Sequence, residues 1–427
     1  DSGIEWIGEI PEEWTSLKVS WIFNIIGSGT TPFSSNLDYY DGDIPWVNTG
    51  DLNDDYLYKT SKMVTDLALN ECSALKFYPI NTLLIAMYGA TIGKLSITKI
   101  VATTNQACCA LAQPKKASIK FIFYWFLANR DHIISMAYGG GQPNISQNLI
   151  KSLRIPLPEK HEQKAIANFL DQKTAEIDGL IADKEKLIEL LQEKRQAIIT
   201  EAVTKGLNPN VRMKDSGIEW IGEIPEHWEV SKIKFTTYVK GRIGWQGLRA
   251  DEFIDEGPYL VTGTDFVDGL VNWDSCYHIS MERYNEAPPI QLRENDLLIT
   301  KDGTIGKVAI VKNKPKYAIL NSGIFVTRPK NSAYLTEFMY WILNSQVFNK
   351  FIQYMSLGST IVHLYQQTFE NFSFPITNLN EQKTIAHFLD RKVAEIDGLI
   401  SDIKLQIQKL KEYRQSLISE AVTGKID

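Results

Sequence analysis

The chain has 427 residues, of which 44% are hydrophobic and 22% charged, and its formal net charge is −6. This length predicts two to four domains, and the composition is that of a folded globular protein. The longest apolar run, FIFYWFLA at residues 121–128, is too short to cross a bilayer, so no membrane association is predicted. The cysteines show neither metal-ligand spacing nor a secreted disulfide pattern, which favours a reducing, cytoplasmic setting; they are Cys72, Cys108, Cys109 and Cys276.

The chain opens with DSGIEWIGEIPEEW (residues 1–14), and DSGIEWIGEIPEHW returns at residues 215–228. We name these segments the first and second box; they differ only at Glu13 and His227. Because Met213-Lys214 precede the second box, we expect a few residues before Asp1 in the natural chain. Each box carries conspicuous apolar side chains in an acidic context, which either dock a partner subunit or fasten the box to its own domain as core. The positions in question are Trp6, Ile7, Trp14, Trp220, Ile221 and Trp228.

Two variable segments, residues 15–158 and 229–377, follow the boxes and share landmarks in the same order. LLIAMYGATIGKLSI (83–97) matches LLITKDGTIGKVAI (297–310), and FIFYWFLAN resembles FMYWILNS. Strand-like runs, glycine-rich turns and one or two helices predict the same α+β fold for both segments. The GATIGK stretch leaves three residues between Gly89 and Gly93, where a phosphate-binding loop has four. We therefore predict a β-hairpin at this stretch.

A long helix repeat follows each variable segment. Residues 162–204 and 381–423 align without gaps, with 27 identities in 43 positions. Both copies carry apolar residues in steps of four and three, the pattern of a coiled coil, and we predict that they pack antiparallel. Gly179 and Gly398 lie at matching positions, which predicts a close approach between helices. The predicted seam positions are Leu170, Ile177, Ile181, Ile188, Leu191, Ile198, Leu389, Ile396, Ile400, Ile407, Leu410 and Leu417.

The repeats divide the chain into residues 1–158, 159–214, 215–377 and 378–427, and they predict a pseudo-two-fold molecule. The negative charge is concentrated in the boxes, which hold five and four acids and no base. The first variable segment has 12 bases against 9 acids, and the second is balanced at 15 of each. The variable segments therefore do not repel an anionic ligand such as nucleic acid by net charge.

Together, the box DSGIEWIGEIPE-x-W, the G-x-x-IGK hairpin and the EQK-x-IA-x-FLD-x-K-x-AEIDGLI helix resemble the specificity subunit of type I restriction-modification systems. The resemblance covers both halves of the chain. It implies two target-recognition domains that read a bipartite, asymmetric site in double-stranded DNA, and two conserved helices that form an antiparallel coiled coil. It further implies that the helices dock two methyltransferase subunits, which bind S-adenosylmethionine, and that translocating restriction subunits join further out. The chain itself is then expected to be non-catalytic, without cofactor or metal.

Polar residues in glycine-rich loops of the variable segments are the candidates for DNA contact, since base edges are read by Arg, Lys, Asn, Gln, Ser and Thr. In the first segment, the loops at 26–32 and 139–147 and the hairpin supply Ser28, Thr30, Thr31, Gln142 and Asn144, with Lys94 on phosphate. In the second segment, the stretches 240–249 and 357–367 and the hairpin supply Arg242, Trp245, Gln246, Arg249, Ser359, Thr360 and His363, with Lys301 and Lys307 on phosphate.

Two other classes of protein fit parts of the sequence. A nucleotide hydrolase using GATIGK is disfavoured by the glycine spacing and by Leu95 or Val308, which stand where Ser or Thr would hold magnesium. A scaffold that binds only protein would need no divergence between the variable segments, whereas they diverge strongly beside nearly identical boxes. Variable segments that diverge beside nearly identical boxes favour two different DNA targets and two equivalent partners.

Overall fold

The structure is a computed structural model, and it describes residues 2, 6–137, 143–242, 248, 250–355 and 363–426. The chain forms two compact units, one of residues 1–185 and 404–427 and the other of residues 186–403. Each long helix contributes one part to each unit. The units therefore differ from the four segments predicted above, whose boundaries follow the sequence repeats.

The first unit is built on a five-stranded sheet in the order β2-β9-β6-β7-β4, with a three-stranded sheet β5-β3-β8 and the antiparallel pair β1-β10 beside it. Strand β6 is buried along its whole length, which explains its uninterrupted apolar sequence LLIA. The strands are β1 (Thr15–Lys18), β2 (Phe23–Gly27), β3 (Tyr40–Val47), β4 (Asp55–Leu57), β5 (Met63–Val64), β6 (Leu83–Ala86), β7 (Leu95–Thr98), β8 (Thr103–Thr104), β9 (Cys108–Pro114) and β10 (Arg154–Leu157).

Short helices accompany these strands. The apolar run noted in the sequence forms α3, whose residues 121–127 are all buried, so it is a core helix of the domain. The helices that begin in this unit are α1 (Val19–Ile22), α2 (Asp66–Glu71), α3 (Ile119–Ala128), α4 (Arg130–Ser135), α5 (Gln147–Ser152) and the long α6 (Lys160–Lys205).

The second unit repeats this plan. Its main sheet has the order β14-β22-β19-β20-β17-β16, beside the sheet β18-β15-β21 and the pairs β13-β23 and β11-β12. The strands are β11 (Met213–Asp215), β12 (Glu223–Pro225), β13 (Glu229–Lys232), β14 (Thr237–Gly241), β15 (Ile254–Val261), β16 (Phe266–Val267), β17 (Leu270–Val271), β18 (Tyr277–His278), β19 (Leu297–Thr300), β20 (Val308–Ile310), β21 (Ala318–Leu320), β22 (Ile324–Pro329) and β23 (Ser373–Ile376). The helices are α7 (Ile233–Thr236), α8 (Met281–Asn285), α9 (Thr336–Leu343), α10 (Gln346–Met355), α11 (Gln366–Glu370) and the long α12 (Leu379–Val422).

Within each unit, a part of α6 runs antiparallel to a part of α12. In the first unit Arg414 binds Asp178 with two hydrogen bonds of 2.8 and 3.0 Å, and Lys184 reaches Gln406 at 2.6 Å. In the second unit the equivalent pair is Arg195 and Asp397, whose Nε and Oδ1 are 2.9 Å apart. The same Arg–Asp clamp therefore sets the helix register in both units.

None of the twelve predicted seam positions is exposed. Eight are buried (Leu170, Ile177, Ile181, Leu389, Ile396, Ile400, Ile407 and Leu417), and Ile188, Leu191, Ile198 and Leu410 are half-buried.

The explanation predicted for the two helix glycines is wrong. A Cβ built on Gly179 or Gly398 meets no atom within 4 Å, and both residues are exposed. Neither glycine therefore permits a close contact inside its own unit. The helix carries the cost of about 1 kcal/mol per glycine without a packing reason of its own.

Each box lies between the beginning of one long helix and the end of the other. In the first unit, Trp14 Nε1 donates to Glu162 at the start of α6 (3.1 Å). Gly424, just past α12, has a φ of +71°, and a Cβ there would come within 2.5 Å of Pro11. In the second unit, His227 contacts Glu381 at the start of α12 (3.0 Å), and Gly206 with φ +72° lies beside Trp228. Two boxes are needed because two such junctions exist.

The EQK segment of each long helix also binds the adjacent domain through a buried glutamine. Gln163 accepts a hydrogen bond from the backbone N–H of Ser118 and donates to Pro158 O, at 2.7 and 2.8 Å. Gln382 accepts from Leu335 N and donates to Thr377 O, at 2.8 and 2.7 Å. The glutamine of the EQK segment thus makes equivalent fastening contacts in the two units.

Candidate nucleic-acid interface

The GATIGK and DGTIGK stretches form the turns of β-hairpins, as predicted. In the first unit, β6 and β7 pair antiparallel, and the turn between them places Gly89 and Gly93 at φ +85° and +78°. In the second unit, β19 and β20 pair in the same way around Gly303 and Gly306, at φ +67° and +84°. These glycines supply the left-handed backbone that the turn requires.

A second predicted loop meets each hairpin. Ile145 N donates to Met87 O at 2.8 Å, which places the exposed Asn144 at the base of the first hairpin. Leu364 N donates to Lys301 O, also at 2.8 Å, and places His363 at the second. The His363 ring nitrogen Nδ1 contacts the Asp302 carboxylate. In each unit, the hairpin and a loop more than fifty residues further along the chain are thus in contact.

The third predicted loop of the first unit, at residues 26–32, joins the same edge. Gly29 N donates to Thr104 Oγ1 at 2.9 Å, and Thr31 Oγ1 donates to Gln106 Oε1 at 2.6 Å. Met87 N donates to Ala107 O at 2.8 Å, so the segment that receives this loop is bonded to the hairpin. These bonds connect the loop that carries Ser28, Thr30 and Thr31, and the loop that carries Asn144, to the hairpin that carries Lys94, and we name this region the first reading edge.

Sequence reasoning missed several polar residues of these edges. In the first unit Asn105 Nδ2 donates to Asn48 Oδ1 at 3.2 Å, beside the exposed Gln106. In the second unit Asn321 takes the place of Asn105, since both donate a backbone hydrogen bond of 2.9 Å to the end of the paired strand, Val47 O or Val261 O. Part of the signal is in the sequence, because Asn48 lies in IPWVNTGDL (44–52), which loosely matches PYLVTGTDF (258–266).

We name the equivalent region of the second unit the second reading edge; its described polar residues include Thr262, Thr264, Lys301, Lys307, Asn321 and His363. Lys307 of the hairpin is exposed, and its Nζ lies 3.4 Å from Gly263 O, so its charge lies beside Thr262 and Thr264. Lys301 is half-buried, with its Nζ 5.2 Å from the centre of the Phe325 ring. An exposed lysine beside neutral donors and acceptors suits a phosphate next to base edges.

Arg242 differs from the other candidates. Its side chain is only 3% exposed, and its Nε donates to Leu320 O at 3.1 Å. Burial lowers the pKa of its guanidinium. The side chain as placed supports the end of β21 and is not offered to a base edge, so its role in DNA contact stays an untested prediction. Six other candidates lie outside the described residues: Gln142, Trp245, Gln246, Arg249, Ser359 and Thr360.

The box residues are core residues of their own units, which corrects the alternative that they form a free docking surface. Trp14, Ile7 and Ile221 are 6, 6 and 8% exposed, and Trp228 is fully buried. Trp6 and Trp220 are half-buried; Trp6 packs on Trp125, and Trp220 on Phe351, with ring centres 5.7 and 5.4 Å apart. Paired aromatic rings of this kind stabilise the junction between box and domain.

The described residues include many acids, several histidines and four cysteines. They contain no group of three His, Cys, Asp or Glu side chains arranged to hold a metal ion. Burial raises the pKa values of the Cys108, Cys109 and Cys276 thiols to about 12, so at neutral pH they are protonated and poor nucleophiles. Within the described part of the chain, no helix is both long enough and apolar enough to cross a membrane.

Two α+β domains, each fastened to antiparallel helix segments and each presenting a polar hairpin edge, match a known class of protein. A family model described as "Type I restriction modification DNA specificity domain" matches residues 11–190 and 225–409. The chain belongs to this family of type I specificity subunits, and the resemblance found in the sequence is confirmed.

The relatives agree along the whole chain. The type I restriction enzyme MjaVIII specificity subunit of Methanocaldococcus jannaschii is 23% identical over 98% of this chain and 94% of its own length. The EcoBI specificity subunit of Escherichia coli is 23% identical over 76% of this chain and 69% of its own. A chain from a solved type I R-M complex shares the fold with a TM-score of 0.77 at 14% identity, covering 98% of this chain and 100% of that one. The HsdS subunit from Thermoanaerobacter tengcongensis gives 0.58 at 15% identity, with 98% of both chains covered.

Proposed function

We propose that the two domains read the two different halves of a bipartite, asymmetric target in double-stranded DNA. The observation that carries the proposal is the pair of reading edges, which share a backbone plan and differ in side chains. Asn144 at the first hairpin is replaced by His363 at the second, and Met87 by Lys301. Different donors and acceptors at equivalent positions select different bases, because each base pair presents its own pattern in the major groove.

We also propose that the duplicated helices dock two methyltransferase subunits, with restriction subunits joining through them. The segment AEIDGLI is identical at 175–181 and 394–400, although five of its seven residues in each copy are exposed. Leu180 and Leu399 are 51 and 52% exposed, beside glycines with open space around them. Exposed positions further along the helices, such as Leu187 and Gln406, differ between the copies. The same exposed surface on both helix repeats suits the binding of two copies of one partner.

Catalysis in this proposal belongs to the partners, and S-adenosylmethionine is bound by the methyltransferase. The inert thiols and the hairpin geometry of the GATIGK stretch support a chain that recognises DNA without transforming it. Adding metal or cofactor to the isolated chain is accordingly expected to give no methyl transfer and no cleavage.

The test is methylome sequencing of cells that co-express the chain with its methyltransferase partner. The expected result is two unlike half-sites separated by unspecified bases. Asn144→Ala is expected to change base preference in one half-site only, and His363→Ala in the other only. A palindromic or continuous target, or a change in both half-sites from one substitution, would contradict the proposal.

A further inference from the structure

An exposed aromatic ring beside a lysine recurs at the same place in both units. Trp21 in α1 is 58% exposed, and Phe235 in α7 is 68% exposed. The Lys18 Nζ is 6.0 Å from the centre of the Trp21 ring, and the Lys234 Nζ is 4.9 Å from that of Phe235. A single exposed ring needs no explanation, so the notable observation is that a ring and a lysine recur together at equivalent positions of the two units.

The two rings stand on equivalent backbone. Val19 N donates to Leu153 O at 2.9 Å, and Ile233 N to Phe372 O at 3.1 Å, so each helical turn begins on the same type of bond. At the other end, Lys115 N donates to Ile22 O and Lys330 N to Thr236 O, at 2.8 and 2.7 Å. Each ring therefore has a second exposed lysine, Lys115 or Lys330, close to its own turn.

A lysine precedes both turns at the equivalent position, Lys18 in the first unit and Lys232 in the second. The second turn carries a further lysine, Lys234, where the first has Ser20. The sequences VSWI and IKFT share no residue, yet both place an exposed ring next to a lysine.

The surroundings of the rings are basic in a chain whose net charge is −6. Strands β1, β2 and β10 and helices α1 and α5 contain Lys18, Lys151 and Arg154 and no acid. In the second unit, β13, β14, β23, α7 and α11 contain three lysines against Glu229 and Glu370, and Lys330 adds a further positive charge. A polyanion is the ligand that this charge favours.

Both rings also adjoin the candidate reading loops. Helix α1 packs on α5, whose first residue, Gln147, ends the predicted loop at 139–147. Helix α7 packs on α11, which begins at Gln366, three residues after His363. A ligand that contacts the reading loops therefore lies near these turns.

We propose that Trp21 with Lys18, and Phe235 with Lys234, are two clamps for the sugar–phosphate backbone of duplex DNA beside each half-site. The ammonium groups neutralise phosphates, and the rings pack on deoxyribose, which is apolar on its exposed face. Such contacts position the duplex without reading its sequence. The proposal rests on the function proposed above and adds a site that is indifferent to base identity.

The test measures dissociation constants of the full-length chain for a fluorescently labelled duplex of arbitrary sequence, over a series of salt concentrations. Trp21→Ala and Phe235→Ala are each expected to weaken binding about three- to tenfold. Lys18→Gln and Lys234→Gln are each expected to reduce the slope of log affinity against log salt by about 0.9. Tyr413→Ala, on a 57% exposed ring of α12, and Lys186→Gln, on an exposed lysine of α6, are the matched controls and are expected to change neither quantity.

A second measurement separates this proposal from the proposed function. Selection from a random duplex pool is expected to return the same preferred sequence for the parent chain and for the clamp variants. If the variants keep the parent's affinity and salt slope, the clamps are disproved while target recognition stands. If they lose only co-purification with the methyltransferase, the rings bind protein and the proposal is again disproved. If methylome sequencing of cells that co-express the parent chain and its methyltransferase finds no specific target, the proposed function fails whatever the clamp variants do.

Discussion

At the scale of single residues, equivalent positions of the two units separate contacts that hold the protein together from residues free to meet a ligand. Asp178 and Asp397 have the same sequence context, and each binds an arginine of the facing helix segment. The neighbouring Gly179 and Gly398 touch nothing. Contacts within each unit thus explain the two aspartates but not the two glycines. A glycine that destabilises its helix and is exposed at both equivalent positions points to a contact with a partner.

We predict that Gly179→Ala and Gly398→Ala each stabilise the free chain by up to about 1 kcal/mol, because alanine is the better helix former and no atom obstructs its Cβ. This gain corresponds to a melting temperature higher by about 2–4 °C. The same methyl groups are expected to weaken co-purification with the methyltransferase, since they fill space that the partner approaches. Thermal unfolding and co-purification measure the two effects. Gln192→Ala, on an exposed residue whose counterpart is Lys411, is the control; undiminished partner binding by the glycine variants would count against the docking surface.

At the scale of elements, the Arg–Asp pairs between the long helices lie at matching intervals in the two helices. Asp178 and Arg195 are 17 residues apart in α6, as are Asp397 and Arg414 in α12. An insertion in only one helix, between its Asp and its Arg, makes these intervals unequal. The two Arg–Asp pairs could then not both keep their geometry. Lengthening both by the same amount keeps each clamp within its own unit. Helix length is therefore a property that the two helices can change only together.

We predict that inserting four residues after both Ile181 and Ile400 increases the spacing between DNA half-sites by one or two base pairs. Four residues add about 6 Å of helix, and a base pair rises about 3.4 Å. They also rotate the helix by about 400°, close to a full turn, so the apolar seam is preserved. Methylome sequencing measures the spacing.

The half-site sequences are expected to remain unchanged, because no reading edge is altered. Inserting two residues at both sites is the control: it rotates the seam by about 200° and is expected to impair folding. A folded, active four-residue variant with the original spacing would show that the helices do not set the distance.

At the scale of the whole molecule, charge is distributed by role. The two boxes hold five and four acids and no base, whereas the surroundings of Trp21 and Phe235 are locally basic. The total of −6 nevertheless leaves the isolated chain with few cations to offer a polyanion. We therefore expect the partner subunits proposed above to supply much of the DNA affinity of an assembled complex.

We predict that the isolated chain binds DNA weakly and that its affinity falls steeply with salt, as expected of binding carried by phosphate contacts. Addition of the methyltransferase is expected to raise affinity and to steepen the salt dependence by about 0.9 for each further phosphate neutralised. Titrations of the same duplex with and without the partner give both quantities. Equal affinities for the chain alone and the complex would contradict this division of labour.

The sequence by itself determined the family, the duplicated plan, the helix seam and the hairpins, because each is written in local periodicity or in a repeat that can be read along the chain. Only the tertiary structure decided what the boxes and glycines do. The box tryptophans could be surface or core until the ends of two helices, more than 250 residues apart in the chain, were seen to close on Trp14. The reading edges likewise depend on hydrogen bonds between loops far apart in sequence, such as Thr31 to Gln106. Such contacts leave no periodic trace, since burial and convergence are properties of the folded chain.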